Sequence, residues 1–201
     1  MTSVQPENST ATALERVPET PAFDLEKETL SFAALEAGRV LVYESLDAKQ
    51  RFKNKVESMP TTGEPGRRRG LGLWVLAEYE RSARELAAHE ADDTAAYTRA
   101  RCLFALQRFD DAAAIFQRLA DKHQQEPRPR SGLLEARLES ALLKKPEESA
   151  KLGEELARSV AAAPGGFAAS VEGLYLQGRA AELRRDLDGA LEAFERARVI
   201  D

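Results

Sequence analysis

Apolar residues in the C-terminal half of this chain recur at helical spacing, and the same pattern occurs twice. In residues 109–119 and again in residues 187–197, a large apolar residue is followed by Ala after three positions, by Phe after four more, and by another apolar residue after a further three. Steps of three and four residues place side chains on one face of an α-helix. The sequence therefore predicts an internal repeat of amphipathic helices.

Capping and turn-forming residues divide this half of the chain into pairs of helices. Asp92 or Asp93 is suited to cap the first helix, and Pro146 lies where the first turn of a helix tolerates proline. A helical hairpin cannot bury its apolar face alone, so successive hairpins are expected to stack. The predicted helices span residues 94–107, 110–122, 131–144, 146–162, 168–185 and 188–200.

The chain before residue 92 predicts a different organisation. Residues 1–23 are rich in Ser, Thr, Pro and Glu and contain few large apolar residues, which predicts a disordered leader. Residues 24–91 predict an N-terminal helical segment that begins with one long helix or with a pair broken at Gly38. A later helix is predicted from Leu73 to about His89.

A Gly-rich and Arg-rich stretch interrupts this N-terminal segment. Residues 60–72 contain two prolines, four glycines and the run Arg67-Arg68-Arg69, a composition that predicts a loop. The basic run can hold a phosphate or a nucleic-acid backbone. A solvated loop is the favoured interpretation, because the run is shorter than a typical basic patch and lacks the sequence of a P-loop.

The composition favours an all-α protein and limits its function. Ala, Leu, Glu and Arg are abundant and are strong helix formers. The 34 acidic and 29 basic residues give a net charge of −5, which provides no general attraction to nucleic acid. A single cysteine, Cys102, excludes an intramolecular disulfide. With no secretory signal and no apolar stretch long enough for a membrane helix, we expect a cytoplasmic protein that does not enter membranes.

The last predicted hairpin resembles the tetratricopeptide repeat family. The residues that match the family signature are Leu174, Gly178, Ala190, Phe194 and Ala197. Two features depart from the family pattern: Gln177 and Ala181 replace large residues, and the repeated alanines are 38 and 40 positions apart, against about 34 in the family. The resemblance implies a right-handed solenoid of helical hairpins over residues 92–201, with a protein partner bound in its concave groove.

The resemblance also implies candidate binding residues, because the first helix of each pair lines the concave face in that family. Tyr97 and Arg101 then correspond to Tyr175 and Arg179, while Glu135 and Glu139 occupy these places in the middle pair. Such a surface suits an extended peptide of mixed charge, since Arg binds carboxylates and Tyr provides rigid contact area. Tyrosines packed between helices, with arginines in solvent, explain the same pattern equally well.

Other reactive residues do not form a recognisable catalytic site. Cys102 lies within a predicted helix without a His or Asn partner nearby in sequence, and His89 and His123 are isolated. No metal ligand set, cofactor motif or enzyme activity is predicted. The predicted function is a non-catalytic adaptor or scaffold. The alternative is a regulatory or oligomerisation segment of a longer protein whose catalytic or nucleic-acid-binding domain follows Asp201.

Overall fold

The computed structural model describes residues 23–26, 30–143, 146–163 and 165–200, and within these ranges every regular element is helical. This confirms the all-α class. Apart from Phe23, the predicted leader at residues 1–23 lies outside the described residues. The helices are α1 (Phe32–Val42), α2 (Leu46–Ser58), α3 (Gly63–Val75), α4 (Tyr79–Leu86), α5 (Asp93–Ala105), α6 (Phe109–Lys122), α7 (Pro127–Leu142), α8 (Pro146–Ala161), α9 (Val171–Leu183) and α10 (Leu187–Ile200).

Side-chain caps set the start of several helices. The Asp92 carboxylate accepts a hydrogen bond from the Ala95 amide, so Asp92 is the N-cap of α5. Ser45 caps α2 in the same way and separates it from α1. The break predicted at Gly38 is therefore wrong. Gly38 lies buried within α1, where the ring of Phe23 occupies the space that a Cβ would need.

The loop predicted at residues 60–72 is also wrong, because residues 63–75 form α3. Pro65 lies in the first turn, where a backbone N–H has no helical partner to lose. The glycines allow close packing: a Cβ on Gly70 would come within 2.6 Å of Leu86, and a Cβ on Gly72 within 2.6 Å of Val56. A turn after Val75 also divides the helix predicted from Leu73 to His89.

Three hairpins share one turn geometry. Ala77, Gln107 and Arg185 join α3 to α4, α5 to α6 and α9 to α10, with φ values of 60°, 60° and 61°. In each case the amide of the next residue donates a hydrogen bond to the carbonyl five positions earlier, with N–O distances between 2.8 and 2.9 Å. These bonds satisfy carbonyls at the end of the first helix and hold a left-handed residue other than glycine. The hairpin of α3 and α4 thus belongs to the same class as those predicted from sequence.

The helices contact one another in chain order from α3 to α10. The first helices of successive pairs also touch, since α3 contacts α5, α5 contacts α7, and α7 contacts α9. Helix α1 lies against α3 and α5. The predicted apolar face is confirmed in α6, where Ala112, Phe116 and Leu119 are buried.

Candidate functional site

A cleft of about 440 Å³ lies between α1, α5, α7 and the segment that leads into α9. We call it the central cleft. Phe32, Tyr97 and Phe167 provide its aromatic surface. Its charged lining residues are Glu36, Arg101, Glu126, Arg128, Arg130, Glu135 and Glu172. The central cleft therefore combines an aromatic surface with charges of both signs.

Tyr97 is held in the central cleft by aromatic contacts on two sides. Its ring centre lies 4.5 Å from that of Phe32 and 5.4 Å from that of Phe116, both in edge-to-face geometry. Burial raises the pKa of Tyr97 to about 12, so the phenol is neutral at pH 7. Its hydroxyl has no hydrogen-bond partner within the described residues, and the residue lines the central cleft.

Arg101 and Glu135 form an ion pair with each other across the central cleft. Arg101 Nη1 lies 3.0 Å from Glu135 Oε2, and the guanidinium also lies 5.4 Å from the ring centre of Phe104. Ser131 donates a further hydrogen bond of 3.3 Å to the other oxygen of Glu135. The structure thus brings these two predicted residues together, but their charges already satisfy one another.

Tyr175 and Arg179 form a second pair on α9. Arg179 Nη1 donates a hydrogen bond of 2.9 Å to the Tyr175 hydroxyl, and its Nε lies 2.8 Å from Glu182. Burial alone would lower the pKa of Arg179, but the Tyr175 hydrogen bond and nearby charges, including that of Glu139, leave the pKa raised. Tyr175 is exposed whereas Tyr97 is partly buried, because Phe32 of α1 covers only Tyr97.

Arg128 and Arg130 line the central cleft and were not among the predicted binding residues. Both lie in the first turn of α7, which contains no acidic residue, and neither has an ion-pair partner in the described parts of the chain. Cations are unfavourable at a helix N-terminus, where the backbone already provides partial positive charge. The sequence did not identify them, because the predicted helix began at residue 131 and the absence of an ion-pair partner is visible only in the structure.

The three consecutive arginines lie in α3 and bind other parts of the same chain. Arg67 pairs with Glu64 at 2.7 Å, and Arg68 donates to the Leu25 carbonyl at 3.1 Å. Arg69 pairs with Glu85 at 3.2 Å. All three side chains are mostly buried, so the solvated loop proposed for them is wrong. Hydrogen bonds from Arg67 and Arg68 lower the pKa of Glu64 to about 2.

Cys102 lies in the core and is a structural residue. Its thiol donates to the Ser82 hydroxyl at 3.3 Å, and that hydroxyl donates to the Gly70 carbonyl at 2.8 Å. Burial raises the pKa of Cys102 to about 12, which leaves little reactive thiolate at pH 7.

Among the described residues, no group of three or more His, Cys, Asp and Glu side chains is placed to hold a metal ion. Within the same residues, no helix has both the length and the apolar character needed to cross a bilayer.

The resemblance to the tetratricopeptide repeat family rests only on the residue spacings described above. The shared hairpin turn and the burial of Ala112, Phe116, Ala190 and Ala197 agree with a helical repeat, although Phe194 is only half-buried. Membership of the tetratricopeptide family stays a prediction. No protein-family model, curated protein sequence or solved structure matches the chain.

Proposed function

We propose that this protein is a non-catalytic adaptor that binds an extended peptide of a partner protein in the central cleft. Its hairpins would stack as a right-handed, tetratricopeptide-like solenoid, with α3, α5, α7 and α9 as the inner helices. The observation that carries the proposal concerns Arg128 and Arg130. Both lie beside Phe32 and Tyr97 in the central cleft, and neither has an ion-pair partner among the described residues.

The charges of the central cleft define the peptide that it suits. Arg128 and Arg130 provide a cationic edge, strengthened by the N-terminus of α7, and would bind a carboxylate of the peptide. Arg101 is less suited to this role because Glu135 already neutralises it. Glu36 and Glu172 are exposed and have no ion-pair partner in the described residues, so they favour a basic group elsewhere in the peptide. A peptide with both an acidic and a basic residue fits best.

The aromatic residues would contribute contact area and one directed bond. An apolar side chain of the peptide can lie on the half-buried ring of Tyr97, beside the exposed edges of Phe32 and Phe167, which are otherwise buried. The neutral Tyr97 hydroxyl can donate to a peptide carbonyl. Because the ring is fixed between Phe32 and Phe116, little side-chain entropy is lost on binding.

The test is selection of peptides from a random display library on the full chain, followed by measurement of their affinities. The variant R128E/R130E reverses two charges in the central cleft. An exposed ion pair is worth about 0.2–1 kcal/mol, so two lost pairs should weaken selected acidic peptides by about twofold to thirtyfold. Introduced repulsion would add to this loss.

The matched control is R84E/R158E, which makes the same charge change at exposed arginines of α4 and α8. We expect it to leave affinity within about twofold of the unmodified chain, as is usual for surface charges away from a binding site. If R128E/R130E binds the selected peptides as tightly as R84E/R158E and the unmodified chain do, the central cleft is not the binding site and the proposal is wrong.

A further inference from the structure

The outward face of α10 exposes a row of large apolar side chains. Leu187 and Leu191 are 72% and 59% exposed. They share one helical face with the half-buried Phe194, since the three residues are four and three positions apart. The adjacent face, with Ala190, Ala193 and Ala197, is buried against the rest of the molecule.

The same face of α6 is covered by the next helix of the chain. The shared turn places each residue of the α5–α6 hairpin 78 positions before its equivalent in the α9–α10 hairpin. Phe116 is therefore equivalent to Phe194, but it is fully buried. Tyr97 contacts Phe116 at 5.4 Å between ring centres, and Tyr175 contacts Phe194 at 5.9 Å. The two hairpins thus share the Tyr–Phe contact, which α7 covers on α6 and which no described helix covers on α10.

Three contacts hold α7 on α6. A Cβ on Gly132 would lie 2.7 Å from the ring of Phe116, so the absence of a side chain there allows close approach. Farther along α7, Arg137 donates to Gln117 at 2.9 Å, and Ser140 donates to Asp110 at 2.7 Å. Later residues of α7 thus meet earlier residues of α6, which defines an antiparallel pair.

The equivalent positions of α10 carry the same or more acidic groups, and no other described residue pairs with them. Asp188 is equivalent to Asp110, and Glu195 is equivalent to Gln117. Both are exposed and without an ion pair or side-chain hydrogen bond in the described chain. An opening of about 420 Å³ lies beside Phe194; its lining combines apolar residues such as Tyr175 and Ala197 with the charged residues Glu135, Glu172 and Arg198.

We propose that α9 and α10 form an end socket that binds one amphipathic α-helix of a separate partner protein. The end socket comprises Tyr175, Leu187, Leu191 and Phe194, with Asp188 and Glu195 along its edge. The bound helix has Gly over Phe194 and a basic residue facing Glu195, as α7 has Gly132 and Arg137 on α6.

A second copy of this chain is a poorer occupant of the end socket. If α10 paired with its own copy about a twofold axis, the same edge of each antiparallel helix would face the other. That edge carries Asp188, Glu192 and Glu195, so carboxylates would oppose carboxylates. A partner helix with basic residues along that edge meets no such repulsion.

The test uses a fluorescent synthetic peptide of residues 127–142, the α7 sequence, titrated with the full chain and followed by anisotropy. We expect saturable binding. Leu191→Glu, which places a charge in the apolar row, should weaken binding at least tenfold, because the leucine side chain is no longer there to be buried by the bound helix. A peptide with Gly132→Leu should bind at least tenfold more weakly, because a side chain there collides with Phe194.

A charge exchange identifies the orientation of the bound helix. Glu195→Lys should weaken binding about threefold, and a peptide with Arg137→Glu should regain it on the Glu195→Lys chain. The control is Glu154→Lys, the same change at an exposed residue of α8, which should leave binding within twofold. R128E/R130E should also have no effect, which separates this proposal from that on the central cleft.

Two results would overturn the proposal. The first is an absence of saturation at millimolar peptide, or equal binding by the unmodified, Leu191→Glu and Glu195→Lys chains. The second is a dimer in sedimentation equilibrium that Leu191→Glu dissociates, which would assign the end socket to a second copy. Circular dichroism of each variant checks that the helical fold is retained.

Discussion

Phe116 and Phe194 provide a matched pair in which burial alone should decide the cost of truncation. They occupy equivalent positions in two hairpins, and each contacts an equivalent tyrosine. Phe116 is fully buried beneath Gly132 of α7, whereas Phe194 is half-buried on the outward side of α10. Phe116→Ala leaves a closed cavity, but Phe194→Ala opens a space that water can fill.

The expected magnitudes differ by a factor that stability measurements resolve. A buried Phe→Ala substitution lowers the free energy of unfolding by about 3–5 kcal/mol. For the half-buried Phe194 we expect about 1–2 kcal/mol, since part of its area is already in water and no cavity forms. For a chain of this length, these losses correspond to reductions in Tm of about 6–20 °C and about 2–8 °C.

Thermal and urea unfolding followed by circular dichroism at 222 nm would compare the two variants with the unmodified chain. Hydrogen exchange of α9 and α10 would show whether that end opens separately from the rest. An equal loss for both variants would refute the reasoning, because it would mean that Phe194 is as enclosed as Phe116 in solution.

Two further predictions concern polar groups. The buried hydroxyl of Thr98 has no hydrogen-bond partner among the described residues, so Thr98→Val should raise the free energy of unfolding by about 1 kcal/mol; a loss of stability in urea unfolding would show that the hydroxyl is bonded. Glu64 has its pKa lowered to about 2 by Arg67 and Arg68, so its contribution to stability is present above its usual pKa of 4.5 and is lost as the pH falls from there towards 2. Glu64→Gln should therefore be less stable than the unmodified chain at pH 7, and the difference should shrink at pH 2; a difference independent of pH in parallel urea titrations would contradict this assignment.

The repeat in the second half could be predicted because its signal is local. The spacing of Ala112, Phe116 and Leu119 follows one helical face, and all three are buried as expected. Asp92 as the cap of α5 is likewise a local feature, because the capped amide is only three residues away. Residue spacing alone is enough to predict interactions that span one or two helical turns.

The errors arise where a residue is chosen for a distant contact. The glycines of α3 suggest a loop, but Gly70 is required by the approach of Leu86 from the following helix. Similarly, Arg68 reaches the Leu25 carbonyl, 43 positions away. The covering of Tyr97 by Phe32 depends on how α1 packs, which no periodic pattern specifies. The candidate site was therefore only partly predictable: Tyr97, Arg101 and Glu135 were named from the repeat, but neither the ion pair of Arg101 with Glu135 nor the aromatic wall was.

Because α1 forms one side of the central cleft, ligand binding there would be coupled to the packing of α1. Phe32 forms part of the cleft and also packs on Trp74, while Arg39 donates to the Tyr79 hydroxyl at 3.1 Å. A ligand that contacts Phe32 would therefore bind more tightly when α1 is packed on α3 and α5 than when α1 is detached from them. By reciprocal thermodynamic coupling, the same factor by which seating improves ligand affinity is the factor by which the ligand holds α1 in place. If the proposed peptide binds in the central cleft, its binding and the packing of α1 would be thermodynamically coupled.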